Sequence, residues 1–74
     1  MKSEDLIGKY IIIKKSDHKM LNDIVGILCI VEVYNQYRTV LIKSLVNDKK
    51  YLLFSETDVS CDIVTPEQNP EYFI

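Results

Sequence analysis

The chain has 74 residues, 47% of them hydrophobic, and a net charge of −2. That length is one domain, that apolar content excludes a disordered body, and an apolar run no longer than Ile24 to Val31 excludes a membrane-spanning helix, which needs about 20 residues. Ten Ile and seven Val, with no Ala and no Trp, are stiff at χ1 and suit a pleated surface while the best helix former is missing, so the composition predicts an all-β fold.

The first strand is predicted over Leu6 to Lys14, opened by Gly8 and carried by Tyr10-Ile11-Ile12-Ile13 between charged ends. A polar loop follows from Ser16 to Asp23, whose Ser-Asp-His-Lys and Asn-Asp clusters satisfy their own backbone, with Met20 and Leu21 tucking back onto the body. Val25 to Tyr34 is a long second strand. One face carries Val25, Ile27, Cys29, Val31 and Val33, the other Gly26, Leu28, Ile30, Glu32 and Tyr34, so much of it is covered on both sides, and Gly26 is placed to bend it at a barrel corner. Asn35-Gln36-Tyr37 leads into a third strand, Arg38 to Leu45, with Val40 and Ile42 inward and Thr39, Leu41 and Lys43 outward.

Asn47-Asp48-Lys49 forms a tight hairpin turn, since Asn and Asp tolerate positive φ, and Lys50 to Phe54 is the fourth strand. Ser55-Glu56-Thr57-Asp58 reads as one 3₁₀ turn with Ser55 as cap and Val59 as the apolar plug, and Val59 to Val64 is the fifth strand. Pro66 and Pro70 bar the remaining residues from a central strand and leave them as a tail.

Short antiparallel strands with the longest loop first, tight second and third connections and a 3₁₀ turn in the fourth, together with the run Tyr51-Leu52-Leu53-Phe54-Ser55-Glu56-Thr57-Asp58-Val59, resemble the layout of SH3-like barrels, KOW-like and Tudor-like members included. The resemblance covers residues 6 to 64. It implies a five-stranded antiparallel SH3-like barrel with a short 3₁₀ turn before the last strand, in a domain over residues 1–64 followed by an acidic and apolar C-terminal tail over 65–74. Signalling SH3 domains carry an Ala-Leu-Tyr-Asp-Tyr run and a paired Trp; this chain has neither, so the resemblance does not extend to proline-rich ligands. A five-stranded OB-like barrel is the alternative, but Val46 to Lys50 leaves no room for the helix often found between its third and fourth strands.

That layout puts the first loop, the Asn35 to Tyr37 turn and the 3₁₀ turn around one face, with the Asn47 to Lys49 turn at the other end. It gathers Tyr10, Asp17, His18, Tyr34, Tyr37, Phe54, Glu56 and Tyr72 there as partner-binding candidates, Tyr being favoured in binding sites for its rigid apolar body and polar tip. The plainer role of Tyr10, Tyr34 and Phe54 is to cap a small core, whereas Tyr37 in a turn is expected to be exposed. Asp17-His18 reads as a solvated loop pair, because no second His or thiol lies near and neither Asp23 nor Asp48 adds ligand spacing; no metal and no cofactor are expected. With Gly8 and Gly26 the only glycines there is no Gly-rich phosphate loop, no Ser has a base, and a barrel filled by its own side chains leaves no enzyme pocket.

Residues 1–54 hold nine cations and six anions, and residues 55–74 five anions and no cation. Lys14, Lys15, Lys19, Arg38 and Lys43 are the candidates for phosphate contact, with Tyr34 or Tyr37 stacking on a base, although the acidic end opposes it and lysines at strand ends also blunt edge-to-edge association. Tyr72-Phe73-Ile74 is too apolar to stand in water, so it docks on its own body, on a second copy or on a partner.

Cys29 and Cys61 lie in apolar runs without metal spacing and read as reduced, buried thiols, a disulfide between them being the alternative that a reducing compartment disfavours. Met1-Lys2-Ser3-Glu4-Asp5 is unlike a signal-peptide start, and the sequence predicts a soluble, cytoplasmic chain. Its Ile, Lys, Asn and Tyr vocabulary with a single Arg resembles translation of an AT-rich genome, as in low-GC bacteria and their phages. The expected function is a small non-catalytic protein-binding module or inhibitor, of the kind a phage directs at a host or defence protein. A KOW-like nucleic-acid binder and a self-associating subunit, a homodimer through an edge strand or a sheet face bearing Leu41, Leu45 and Leu52, are the alternatives.

Overall fold

A computed structural model describes residues 1–15 and 19–73, Met20 by its backbone only. The strands β1 (Tyr10–Lys15), β2 (Leu28–Val33), β3 (Thr39–Ser44), β4 (Lys50–Phe54) and β5 (Ser60–Val64) form one antiparallel sheet in the order β4-β3-β2-β1-β5. Short 3₁₀ segments cover Ser3–Leu6, Lys19–Ile24 and Pro70–Tyr72.

Side-chain alternation sorts the strands onto two faces. The register Ile11↔Cys29, Val31↔Ile42, Val40↔Leu53 and Ile13↔Cys61 aligns the inner face, where these side chains pack into the main core. Leu6, Leu21 and Ile24 cover that face from the two N-terminal 3₁₀ segments and are themselves fully buried. On the outer face Ile12, Leu28 and Val64 make a second, smaller cluster with Tyr10 and Phe73 against it. Each such buried aliphatic contributes about 1.5–3 kcal/mol of transfer free energy.

The expected closure is not made by strand pairing: β4 and β5 are the two edges of the sheet, and no ladder joins them among the described residues. Nor does the segment before β5 coil into a 3₁₀ turn. The N-terminal segment lies along it instead, with the Ser3 and Glu4 N–H groups bonded to the Thr57 and Ser55 carbonyls at 2.9 and 3.2 Å, a Lys2↔Asp58 bridge, and the Val59 N–H bonded to the Met1 carbonyl at 2.8 Å. Backbone groups that would have coiled the segment are thereby held by a neighbouring chain segment, and only the Thr57 N–H to Phe54 carbonyl bond, 3.0 Å, closes a turn within it.

Two strands start later than the apolar pattern suggests. Gly8 and Gly26 take φ of 82° and 79°, a left-handed conformation that interrupts a strand and that glycine adopts without a Cβ penalty. Gly26 therefore sits in the turn leading into β2, its N–H on the Ile13 carbonyl at 2.9 Å, and not at a bend inside the strand. The β3–β4 hairpin is as expected: Asp48 has φ 58°, the Asn47 side chain accepts the Lys49 N–H at 3.2 Å, and Ser44 Oγ accepts the Val46 and Asn47 N–H groups. Among the described residues no helix is long and apolar enough to cross a membrane.

The tail turns back on the sheet through the Asn69 N–H to Thr65 carbonyl bond, 2.7 Å, and sets the Phe73 ring edge-on to Tyr10, with centroids 5.0 Å apart and planes at 88°. Phe73→Ala is expected to cost about 1–3 kcal/mol, less than a fully buried Phe because the ring is half-exposed, and to lower the melting midpoint by roughly 10 °C. The exposed neighbour substitution Tyr72→Ala should stay within about 0.5 kcal/mol in the same thermal melts.

Candidate functional site

The β2–β3 connection and the end of β4 build one exposed aromatic surface. Tyr34, Tyr37 and Phe54 are 56, 72 and 67% exposed, values far above those of rings that cap a core. Phe54 stands opposite Thr39 on β3, and the Tyr34 N–H bonds the Thr39 carbonyl at 3.1 Å, so strand register alone brings Tyr34 and Phe54 to the same end of the sheet. The Asn35 side chain accepts the Tyr37 N–H at 2.9 Å, an Asx turn that sets the loop.

Arg38 is the strained member of this loop. Its φ of 63° is left-handed, which costs a residue with a Cβ about 1–2 kcal/mol. Ser55 holds it there from two sides: its backbone N–H bonds the Arg38 carbonyl at 2.7 Å, and its Oγ accepts Arg38 Nε at 3.1 Å. The same hydroxyl donates to Glu56 Oε2 at 3.2 Å, while the Ser3 hydroxyl is shared between the Ser55 and Phe54 carbonyls at 3.0 and 2.9 Å. Ser3 and Ser55 are both buried, so a hydrogen-bonded chain runs from the N-terminal segment to the exposed guanidinium. The Glu56 carboxyl is held below the usual carboxylate range by its own backbone N–H first, then by the Ser55 hydroxyl and the Arg38 charge.

The other expected site residues lie apart from this surface. Tyr10 pairs with Ile30 and Val64 and packs against Phe73; Ile30 is four residues before Tyr34 on the chain, about 13 Å at strand spacing. Tyr72 is exposed beside it, and a hollow of about 260 Å³ opens next to Tyr10 between Gly8, Lys9, Ile63 and Pro66. The candidate aromatic residues thus form two patches on the described chain, and Tyr51 lies apart from both, packed against the main core. Asp17 and His18 lie outside the described residues. The adjoining Lys19–Ile24 segment turns toward the hairpin end, where Asp23 meets Lys49 Nζ at 3.4 Å and the Tyr51 hydroxyl at 3.5 Å. This part of the first loop therefore groups with the Asn47 to Lys49 turn and not with Tyr37.

The five candidate cations do not line up either. Lys14 and Lys15 end β1 on the side where β2 begins, and Lys14 is paired to Asp62 at 3.2 Å. Lys19 opens the 3₁₀ segment, Lys43 stands between Ile30 and Lys50 on the outer face, and Arg38 lies at the opposite end of the sheet. Among the described residues no three His, Cys, Asp or Glu side chains converge as metal ligands would. Cys29 is buried and Cys61 half-buried, both as free thiols.

The exposure of Tyr37 is legible from its turn, but the Arg38–Ser55 link is not, because 17 residues separate its ends and the conformation of Arg38 has no compositional signal. Comparison of the chain with protein-family models, with curated proteins and with solved structures finds no match in any of the three.

Proposed function

We propose that this chain is a non-catalytic protein-binding module of SH3-like type, acting as an inhibitor does by occupying a partner's surface with the Tyr34, Tyr37, Arg38 and Phe54 patch. The observation that carries the reading is the exposure of three aromatic rings around an arginine held in a strained conformation by a buried serine. Rigid rings and a forked guanidinium are the groups that dominate binding energy at protein interfaces, and their fixed positions reduce the entropy lost on association. Glu56 beside Arg38 and Glu32 on the same sheet flank the patch with negative charge. The partner segment that suits it seats an apolar side chain among the rings and carries charges of both signs around it. The SH3-like part of the reading rests on five short antiparallel strands in one sheet, the number and direction that the resemblance implies. A host or defence protein targeted by a phage is a partner of this kind.

Affinity capture with mass spectrometry, run on the wild type and on Tyr37→Ala and Arg38→Ala variants, tests the proposal. Proteins retained by the wild type are expected to fall at least about tenfold with either variant, the effect of removing an interface hot spot. Equal recovery from wild type and variants would count against the patch. Recovery of nucleic acid that falls away steeply between low and high salt would favour the nucleic-acid reading, for which the scattered cations give little support.

A further inference from the structure

The sheet leaves β4 as an open edge, and that edge is self-complementary. The Ser44 N–H to Lys49 carbonyl bond, 2.8 Å, and the Ser55 N–H to Arg38 carbonyl bond, 2.7 Å, fix which residues of the strand bond β3. Alternation along an antiparallel ladder then turns the backbone groups of Lys50, Leu52 and Phe54 outward. Among the described residues the Phe54 carbonyl is taken by Thr57 N–H and Ser3 Oγ, whereas the Lys50 and Leu52 carbonyls and the Leu52 and Phe54 N–H groups bond nothing. On the outer face the same residues present Leu52, 45% exposed, and Phe54.

Charge along this edge is polarised. Lys49 and Lys50 stand at its start, and Glu56 stands just past its end. Lysines at an edge ordinarily keep strands apart, and a parallel copy would set lysine on lysine. An antiparallel copy does the reverse, placing each Lys50 opposite the other chain's Phe54 and diagonal to its Glu56, within reach of a long side chain. The other edge, β5, has no such pattern, since its one charge, Asp62, is engaged by Lys14.

We infer that two copies of this chain associate through β4, antiparallel about Leu52, to make one continuous sheet. The Leu52 pair exchanges both backbone bonds, each Phe54 N–H meets the opposite Lys50 carbonyl, and Phe54 is covered by the partner's lysine stem. This inference uses the strand edge and not the Tyr37 and Arg38 loop, but it shares Phe54 and Glu56 with the partner-binding patch, so a second copy and a protein partner would compete for that end of β4, and the two readings are tested at different residues.

Sedimentation of Lys50→Glu, Glu56→Lys and their mixture tests the pairing. The wild type is expected to dimerise, and each single variant, which sets like charges against each other, should associate at least about tenfold more weakly. Mixing the two variants restores opposite charges at both diagonals, so a mixed dimer should return to within a few-fold of the wild-type affinity. Thermal melts of each variant identify any loss caused by unfolding, and Leu52→Pro, which removes a central N–H at an edge where proline is tolerated, should also give a monomer. A wild type that stays monomeric at millimolar concentration overturns the inference, as does a mixture no more associated than its components. Either result leaves the capture experiment on Tyr37 and Arg38 unaffected.

Discussion

Ile42→Ala is expected to remove about 2–5 kcal/mol of stability and to lower the melting midpoint by roughly 10–30 °C. Ile42 has no exposed surface, lies in β3, and is flanked in register by Val31 on β2 and Tyr51 on β4. Truncation there leaves a cavity walled by two neighbouring strands that cannot close without breaking their own ladders. A domain of this size holds about 5–15 kcal/mol in total, so the loss is a large fraction of it. Leu41→Ala, one residue away on the outer face and only half-buried, should cost about 1 kcal/mol. Urea unfolding of both variants checks the contrast, and an Ile42→Ala protein within about 1 kcal/mol of the wild type would mean that the inner face is not the main core.

That contrast is legible in the residues alone, because a period of two separates Val40 and Ile42 from Thr39, Leu41 and Lys43, and the observed burial follows it. The β4 limits and the Asp48 turn are legible for the same local reason: strand alternation and turn chemistry act over a few residues. Expectation and structure part where a distant segment decides. Nothing near Ser55 to Asp58 announces that Met1 to Glu4 will pair along it, so a turn that local sequence favours as 3₁₀ is drawn out by non-local bonds. The open edges belong to β4 and β5, consecutive strands whose short connection is bonded to the Met1 to Glu4 segment instead of bringing the two strands into register.

The site divides along the same line. Exposure of Tyr37 follows from a polar turn, but whether Tyr10 and Tyr34 share a surface depends on register. Pairing of Tyr10 with Ile30 carries it to the Phe73 patch and leaves Tyr34 with Phe54. Ser55 reads locally as a cap for a turn; its buried hydroxyl instead ties Arg38 to Glu56, a role visible only once β3 and β4 are side by side.

Raising the pH from about 9 to 11 is expected to cost the wild type up to about 3 kcal/mol more stability than a chain lacking the Cys29 thiol. Cys29 is fully buried at the centre of the inner face, its Sγ–H directed at the Ile27 carbonyl at 3.3 Å, and burial pushes its pKa from the ordinary 9.0 up to about 11. In the unfolded chain the thiol ionises near the ordinary value, while the folded chain keeps it neutral until about pH 11. The folded state thus binds a proton that the unfolded state has released, and stability present below the unfolded pKa drains away as pH rises through that window, at about 1.4 kcal/mol per pH unit. The measurement is a difference between two proteins that share every other ionisable group. In a Cys61→Ser background, the stability gap between Cys29 and Cys29→Ala proteins, largest near pH 8, should narrow steadily toward pH 11. Curves that run parallel across that range would show that the Cys29 thiol ionises as readily in the folded chain as in water, and that the inner face admits solvent.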